Sequence, residues 1–404
     1  VRVSRLVAAG ALVAVAALAI AVGLQLGRSV PAPRVRISVA SSYTVPGARA
    51  ALPWPDAGQA ALYLSGFGWL GSGGNQVPVP IASVTKIMTA LVILQAHPLA
   101  LGEPGPMVTV GADDVDLYQT ELAAGDSVVA VEAGEQLSEL QLLEGLLIPS
   151  GDNLAELLAS WDAGSEASFV VQMNALAVSL GLTDTHFADS SGLDPASVSS
   201  ARDLVTLARR AMEDQVFATI VAMPSAVLPV VGLVHNFNFL LGQDGVVGVK
   251  TGWTAAALGC LVFAAMDRVE GRQVMVVGAV LGQPGGPSAA LRVAGVAVVA
   301  LLQSVSAGLH AVSLPLAALA QGEVTARWAG PVPVRAAGRI QLVALSGARL
   351  SLRARLRRLR TPLRRGARVG SVTVSSPAGY RLREPLVLGR ALAAPGLWWR
   401  LSRV

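Results

Sequence analysis

Ser83-Val84-Thr85-Lys86 and, far downstream, Lys250-Thr251-Gly252 are the stretches whose reading decides the fold. Lysine occurs at these two positions only, although the chain holds 31 lysines and arginines together. Arginine stays protonated at any working pH, whereas a buried lysine can lose its proton and act as a base. Lysines kept in a chain this rich in arginine mark positions that arginine cannot fill. Residues i and i+3 share a helix face, so the Lys86 amine can reach the Ser83 hydroxyl. A helix start also favours negative charge nearby. Serine at a helix start has a second, purely structural reading as an N-cap, and both readings are open at this point.

Working outward, a helical pattern runs from Ser83 to about Leu94. Ser138-x-x-Gln141 is a capping-box signature opening a helix with leucines at 140, 143 and 147. That helix breaks at Pro149-Ser150-Gly151-Asp152-Asn153 and another follows at once. Residues 166–180 read as a further helix stopped by Gly181, and Ser200-x-x-Asp203 caps one more. Residues 60–65 read as a strand and 71–75 as a turn. Residues 246–250, 258–265 and 273–281 have the spacing of an antiparallel meander, and 287–304 that of a core helix packed on it.

At 404 residues the chain can hold two domains, each with its own core. It is 53% hydrophobic and 14% charged, which excludes disorder. The single cysteine, Cys260, excludes an internal disulfide framework and a cysteine zinc site, and His97, His186, His235 and His310 show no ligand spacing. Neither a metal nor a cofactor is expected. The net charge of +5 hides an asymmetry: from Glu323 onward there are 17 Arg against 2 Glu. That basic tail suits an anionic surface as partner, or is an arginine-rich solvated face.

Residues 1–27 hold an apolar run, 6–26, long enough to span a bilayer. It reads as a membrane anchor in preference to a cleaved signal segment. Arg2 and Arg5 place its leading end in the cytoplasm, although Arg28, Arg34 and Arg36 weaken the contrast. Residues 28–54, rich in Pro, Ser and Ala, read as a linker. Residues 55–305 form the principal domain and 306–390 a basic all-β domain. In the tail, 391–404, Leu397-Trp398-Trp399-Arg400 suits a membrane interface or a last strand.

Taken together, Ser-x-x-Lys, Ser-x-(polar) and Lys-Thr-Gly occur in the order of a known motif set. The chain resembles the low-molecular-weight penicillin-binding proteins, the serine D-alanyl-D-alanine carboxypeptidases. The likeness rests on 81–90, on Leu147-Ile148-Pro149-Ser150-Gly151, on Phe187, Gly192-Leu193-Asp194 and Asp203-Leu204, and on 249–254. It covers about residues 55–305. It implies an α/β (α+β) fold of the β-lactamase/transpeptidase-like kind: a mostly antiparallel sheet flanked by helices, with an all-helical lobe carrying Ser150, plus the C-terminal all-β domain.

The resemblance also implies roles. Ser83 is the nucleophile, Lys86 its base, and Ser150 a proton relay. Lys250 and Thr251 hold the substrate's carboxylate, Gly252 and Trp253 line the substrate site with them, and the backbone N–H groups of Ser83 and Trp253 form an oxyanion hole. The substrate class is peptidoglycan stem peptides, with β-lactams as covalent inhibitors. The membrane is a partner through the N-terminal segment, the catalytic domain is extracytoplasmic, and nucleic acid is not expected. One departure stands out. The family's second motif usually ends in Asn, but here that position is Asp152, followed by Asn153. A carboxylate cannot donate to a substrate carbonyl, and beside Lys86 it favours the ammonium over the base. Either Asp152 or Asn153 serves the substrate. The competing functions are a β-lactamase and a catalytically weak wall-binding sensor.

Overall fold

The computed structural model describes residues 2–48, 51–376 and 379–403. Arg2 and Arg5, used above for orientation, lie outside the described side chains. The chain forms two compact units: residues 46–311 with 343–347, and residues 1–45, 312–342 and 348–404.

In the second of these units, helix α1 (Arg2–Gly27) contains a 22-residue apolar span, Leu6–Gly27, of mean hydropathy 2.6. Most of its large apolar side chains are exposed, Leu6, Leu12, Leu18 and Leu24 among them.

The first unit is built on a five-stranded antiparallel sheet in the order Val246–Thr254, Leu258–Val269, Arg272–Gln283, Gln59–Leu64, Gly68–Gly73. The three-stranded meander is as its spacing predicts. The stretch 71–75, expected as a turn, differs: residues 71–73 complete the edge strand Gly68–Gly73. Its glycines give no apolar alternation, so the sequence hides the strand.

The helical lobe packs around α2 (Lys86–Ala96). Residues 86–94 of α2 are all buried, because its sequence is apolar on nearly every face. Around it lie α3 (Ala112–Ala124), α4 (Glu139–Leu147), α5 (Asp152–Ala163), α6 (Glu166–Ser179), α7 (Ala201–Ala211) and α8 (Gln215–Ala222). The predicted caps are present. Ser138 Oγ accepts from Gln141 N at 3.2 Å while Gln141 accepts from Ser138 N at 3.0 Å, and Ser200 Oγ accepts from Asp203 N at 3.2 Å. Helix α9 (Pro287–Gly308) covers the sheet with Ala290, Ala294, Val298 and Leu301, as a core helix does.

In the other unit, a seven-stranded sheet runs in the order Arg34–Val39, Ala320–Ala326, Ala329–Ala336, Arg381–Leu388, Arg368–Ser375, Arg349–Leu356, Ser42–Thr44. Two of these strands correct the linker reading of 28–54. Val35, Ile37 and Val39 alternate inward against arginines and a serine, and Arg34 pairs with Thr325. A short strand whose partner lies nearly 300 residues downstream leaves little local signal. The tail ends in a short helix, Leu397–Ser402, not a strand.

Gly192 locks the loop that crosses α2. Its φ is +90°, and a Cβ there would sit 1.9 Å from Ala82 O. Gly192→Ala must move backbone or adopt a strained φ. We expect it to lower unfolding free energy by about 2–4 kcal/mol, read from the urea midpoint.

Candidate active site

Ser83 lies in a 3₁₀ turn, Ala82–Thr85, that leads into α2. The N-cap reading of Ser83 fails: Ile81 holds the cap position, and no side chain caps the turn. The Ser83 hydroxyl is instead 3.1 Å from Lys86 Nζ. The 3₁₀ turn brings positions 83 and 86 nearly into register, since i and i+3 eclipse at three residues per turn.

Lys86 is fully buried and its Nζ has three oxygen neighbours: Ser83 Oγ, Asp152 Oδ1 and Ser191 O, the last at 2.9 Å. Asp152 is itself fixed. Its Oδ2 accepts from Ser127 N at 3.0 Å, and its own N–H donates to Ser127 O at 2.7 Å. Three partners suit both protonation states of the amine. The ammonium donates to all three, whereas the neutral amine donates to Asp152 and Ser191 and accepts from the Ser83 hydroxyl. Proton transfer from Ser83 to Lys86 therefore needs no rearrangement of heavy atoms.

The break between α4 and α5 presents Ser150. Its φ is +68°, and its hydroxyl is buried with no hydrogen-bond partner among the described residues. Asp152 and Asn153 separate cleanly. Asp152 faces Lys86. Asn153 is buried elsewhere, its Oδ1 accepting from Val129 N and its Nδ2 donating to Val129 O, both at 2.9 Å. The substrate-binding reading of Asn153 is thereby corrected: both ends of its amide are consumed in pinning residue 129.

The Lys-Thr-Gly stretch lies on the edge strand Val246–Thr254. Gly252 is required by close approach, because a Cβ there would meet Ser83 N at 3.0 Å and Ala82 Cβ at 3.2 Å. Lys250 is buried and its Nζ donates to Thr251 O at 3.1 Å. Burial, and then the neighbouring Lys86 charge, push its pKa well below the usual lysine value, while Asp152 opposes this. Trp253 is anchored by its indole N–H, which donates to Gly285 O at 3.2 Å.

One cleft of about 440 Å³ gathers these groups: Ser83, Ser150, Asp152, Thr251, Gly252 and Trp253 all line it. Sequence reasoning missed other members. Ser191 supplies a carbonyl to Lys86, and Asp189 shapes its loop by accepting from Ser191 Oγ at 2.9 Å and Gly192 N at 2.8 Å. The Asp189-x-x-Gly192 spacing was a legible turn signal. Asp126 lines the cleft mouth, and Glu121 is buried behind it with Oε2 unpartnered. Burial, then Asp152, Asp126 and Glu156, raise the Glu121 pKa to about 8, with Lys86 opposing. Nothing local in the sequence marks these two acids.

Residues 70–284 match the D-alanyl-D-alanine carboxypeptidase family model. The chain belongs to that family. As a member it is a serine-type carboxypeptidase, a hydrolase. It is 36% identical over 208 residues to a D-alanyl-D-alanine carboxypeptidase of Mycobacterium tuberculosis, spanning 48% of this chain and 70% of that protein. A D-alanyl-D-alanine carboxypeptidase of Escherichia coli is 38% identical over 146 residues, 36% of each chain. A solved DD-transpeptidase of Streptomyces superposes with a TM-score of 0.53 at 29% identity, over 64% of this chain and 98% of its own. The fold alone is shared with penicillin-binding protein 5 of Haemophilus influenzae, at 23% identity, a TM-score of 0.60, and 86% and 99% of the two chains. The expected α+β architecture, a mostly antiparallel sheet flanked by helices with a helical lobe and C-terminal strands, is that of these enzymes.

Two outcomes follow from the carboxylates. Asp152→Asn supplies an amide donor that the carboxylate lacks, and one added hydrogen bond to a substrate carbonyl should raise the rate of Ser83 acylation by about tenfold. Stopped-flow acylation by a fluorescent penicillin reads this directly. Glu121 holds its proton in the fold up to about pH 8 but releases it near 4.5 when unfolded. The folded state thus binds more protons between these values, and stability falls as pH rises through that window. Glu121→Gln removes the dependence. Its Tm should match wild type at pH 4 and exceed it increasingly up to pH 8.

Proposed function

We propose that this chain is an exported D-Ala-D-Ala carboxypeptidase that trims peptidoglycan stem peptides through an acyl-enzyme on Ser83. The observation that carries this reading is the 3.1 Å contact between Lys86 Nζ and Ser83 Oγ, at a cleft shared with Ser150 and Thr251.

In acylation, neutral Lys86 takes the Ser83 proton as Oγ attacks the carbonyl carbon of the terminal peptide bond. Backbone N–H groups of Ser83 and Trp253 receive the developing oxyanion; loss of one such donor typically costs about 100- to 1000-fold in rate. As the tetrahedral centre collapses the C–N bond breaks. The departing D-alanine amine receives a proton through Ser150, whose unpartnered hydroxyl is free to relay it. The Thr251 hydroxyl binds the substrate carboxylate, and the buried Lys250 draws that carboxylate inward through its field. Water, activated by Lys86, then cleaves the Ser83 ester and restores the enzyme.

A β-lactam presents the same acyl carbon and carboxylate, so it acylates Ser83 as well. The ring-opened leaving group stays tethered, which slows attack by water. Helix α1 has the length and composition to hold the chain in the cell membrane, with the catalytic unit on the extracytoplasmic side. Domains are assigned accordingly: an anchor over 1–27, a peptidase domain over 55–305 and a basic β domain beyond it. Residues 34–44 join the β domain rather than a linker.

Incubation of the full chain with diacetyl-Lys-D-Ala-D-Ala should release D-alanine, and Ser83→Ala should lower that rate by at least about 10³-fold. Intact-mass analysis after penicillin treatment should give a long-lived single adduct that maps to Ser83. Rapid adduct turnover would make the protein a β-lactamase. An absence of D-alanine release above the Ser83→Ala control would leave a sensor on a peptidase scaffold, a reading that Asp152 at the amide position favours.

A further inference from the structure

The loop between the strands Arg349–Leu356 and Arg368–Ser375 carries Arg357, Arg358, Arg360, Arg364 and Arg365. All five are exposed. The ion pairs among the described residues lie elsewhere, so none of these arginines has a carboxylate partner. The loop is nevertheless built into the sheet. Arg357 N donates to Val369 O at 2.9 Å, Leu363 bridges Leu392, and Gly366 N donates to Leu388 O at 2.9 Å. Leu359 is buried between its arginine neighbours and fixes the direction of the turn. Unpaired guanidinium groups on a fixed loop are pre-organised for phosphate oxygens, which they bind in a bidentate fork.

The same loop forms one wall of a groove of about 980 Å³, lined by residues 356–361. The opposite wall is residues 30–33 with Val35, which follow directly on α1. From Gly27 to Val30 the chain advances at most about 11 Å. The end of α1 is also held in place within this unit. Arg403 donates to the carbonyls of Gln25, Arg28 and Ser29 at 3.1, 2.6 and 3.1 Å, and Arg400 donates to Leu26 O. The short helix that carries Arg400 and ends just before Arg403 leaves Trp398 84% exposed beside Leu397. Tryptophan and arginine at the mouth of an apolar span mark the lipid–water interface.

We propose that the groove walled by Arg357, Arg358 and Arg360 is a binding site for the phosphate headgroups of anionic phospholipids, in the leaflet from which α1 emerges. The charge selects the anion. The short tether from α1 selects the lipid over a polymer further out in the wall, because it holds the groove at headgroup depth. This rests on α1 being retained and spanning the bilayer.

The test uses the full chain, purified in mild detergent with equimolar phosphatidylglycerol and phosphatidylcholine, and native mass spectrometry of the lipids retained. Wild type should retain phosphatidylglycerol preferentially. An arginine at an anionic surface is worth about fivefold, so the triple variant R357S/R358S/R360S should lose roughly a hundredfold of that preference. The variant R335S/R339S/R349S removes the same charge from other exposed positions and should keep it. Equal penicillin labelling of all three proteins verifies their folding. Absence of preference in wild type, or equal loss in both variants, would overturn the site. Displacement of the lipid by soluble poly(glycerol phosphate) at equal phosphate concentration would assign the groove to a wall polyanion and overturn the lipid reading. Release of the chain from membranes by alkaline carbonate would remove the α1 premise, and the proposal with it, without touching the D-alanine assay.

Discussion

A single buried nitrogen organises the catalytic unit. Lys86 Nζ has no access to water, and an unpaired ammonium in such a place would cost several kcal/mol. Its three oxygen neighbours come from three separate elements: the 3₁₀ turn before α2, the first residue of α5, and the loop after residue 189. The lobe can close only if all three arrive together. The same contacts that make the fold tolerable for a buried amine also define the geometry around the reactive hydroxyl. Stability and chemistry are therefore written into one set of distances.

The edge strand completes the arrangement from the sheet side. Gly252 lets the backbone pass against Ser83 N, and this places Thr251 and Trp253 along the same cleft. Lys250 is buried a short way behind. Two lysines held near each other disfavour simultaneous protonation, and Lys250 carries that repulsion together with its desolvation. Asp152 counters it from the lobe. Glu121 remains protonated at neutral pH, so the countercharge is smaller than a count of carboxylates implies. The site is balanced by graded burial rather than by equal numbers of opposite charges.

Much of this was legible in the chain. A bias against lysine so complete left Lys86 and Lys250 standing out, and the capping signatures at Ser138 and Ser200 are local interactions that need only three or four residues to express. The meander followed from β-branched runs at close spacing. What stayed hidden depends on distant partners. Arg34–Val39 is a strand only because Ala320–Ala326 pairs with it, and nothing within its own six residues says so. Whether Asp152 or Asn153 faces the amine depends on where residues 127–129 run, since those residues claim Asn153 on one side and support Asp152 on the other. The N-cap reading of Ser83 failed for a related reason: the turn before α2 is 3₁₀, and its hydroxyl meets a side chain instead of a backbone N–H.

The carboxylate at position 152 then acquires a definite physical meaning. An amide there would offer a substrate carbonyl one donor and leave Lys86 with a neutral neighbour. Asp152 gives no donor, and both its oxygens are already engaged, by Lys86 and by Ser127 N. The resting site is thus more tightly tied together than an amide could make it. The departure from the family's amide trades a donor for a second anchor: Asp152 joins Lys86 to the 127–129 segment through its two oxygens.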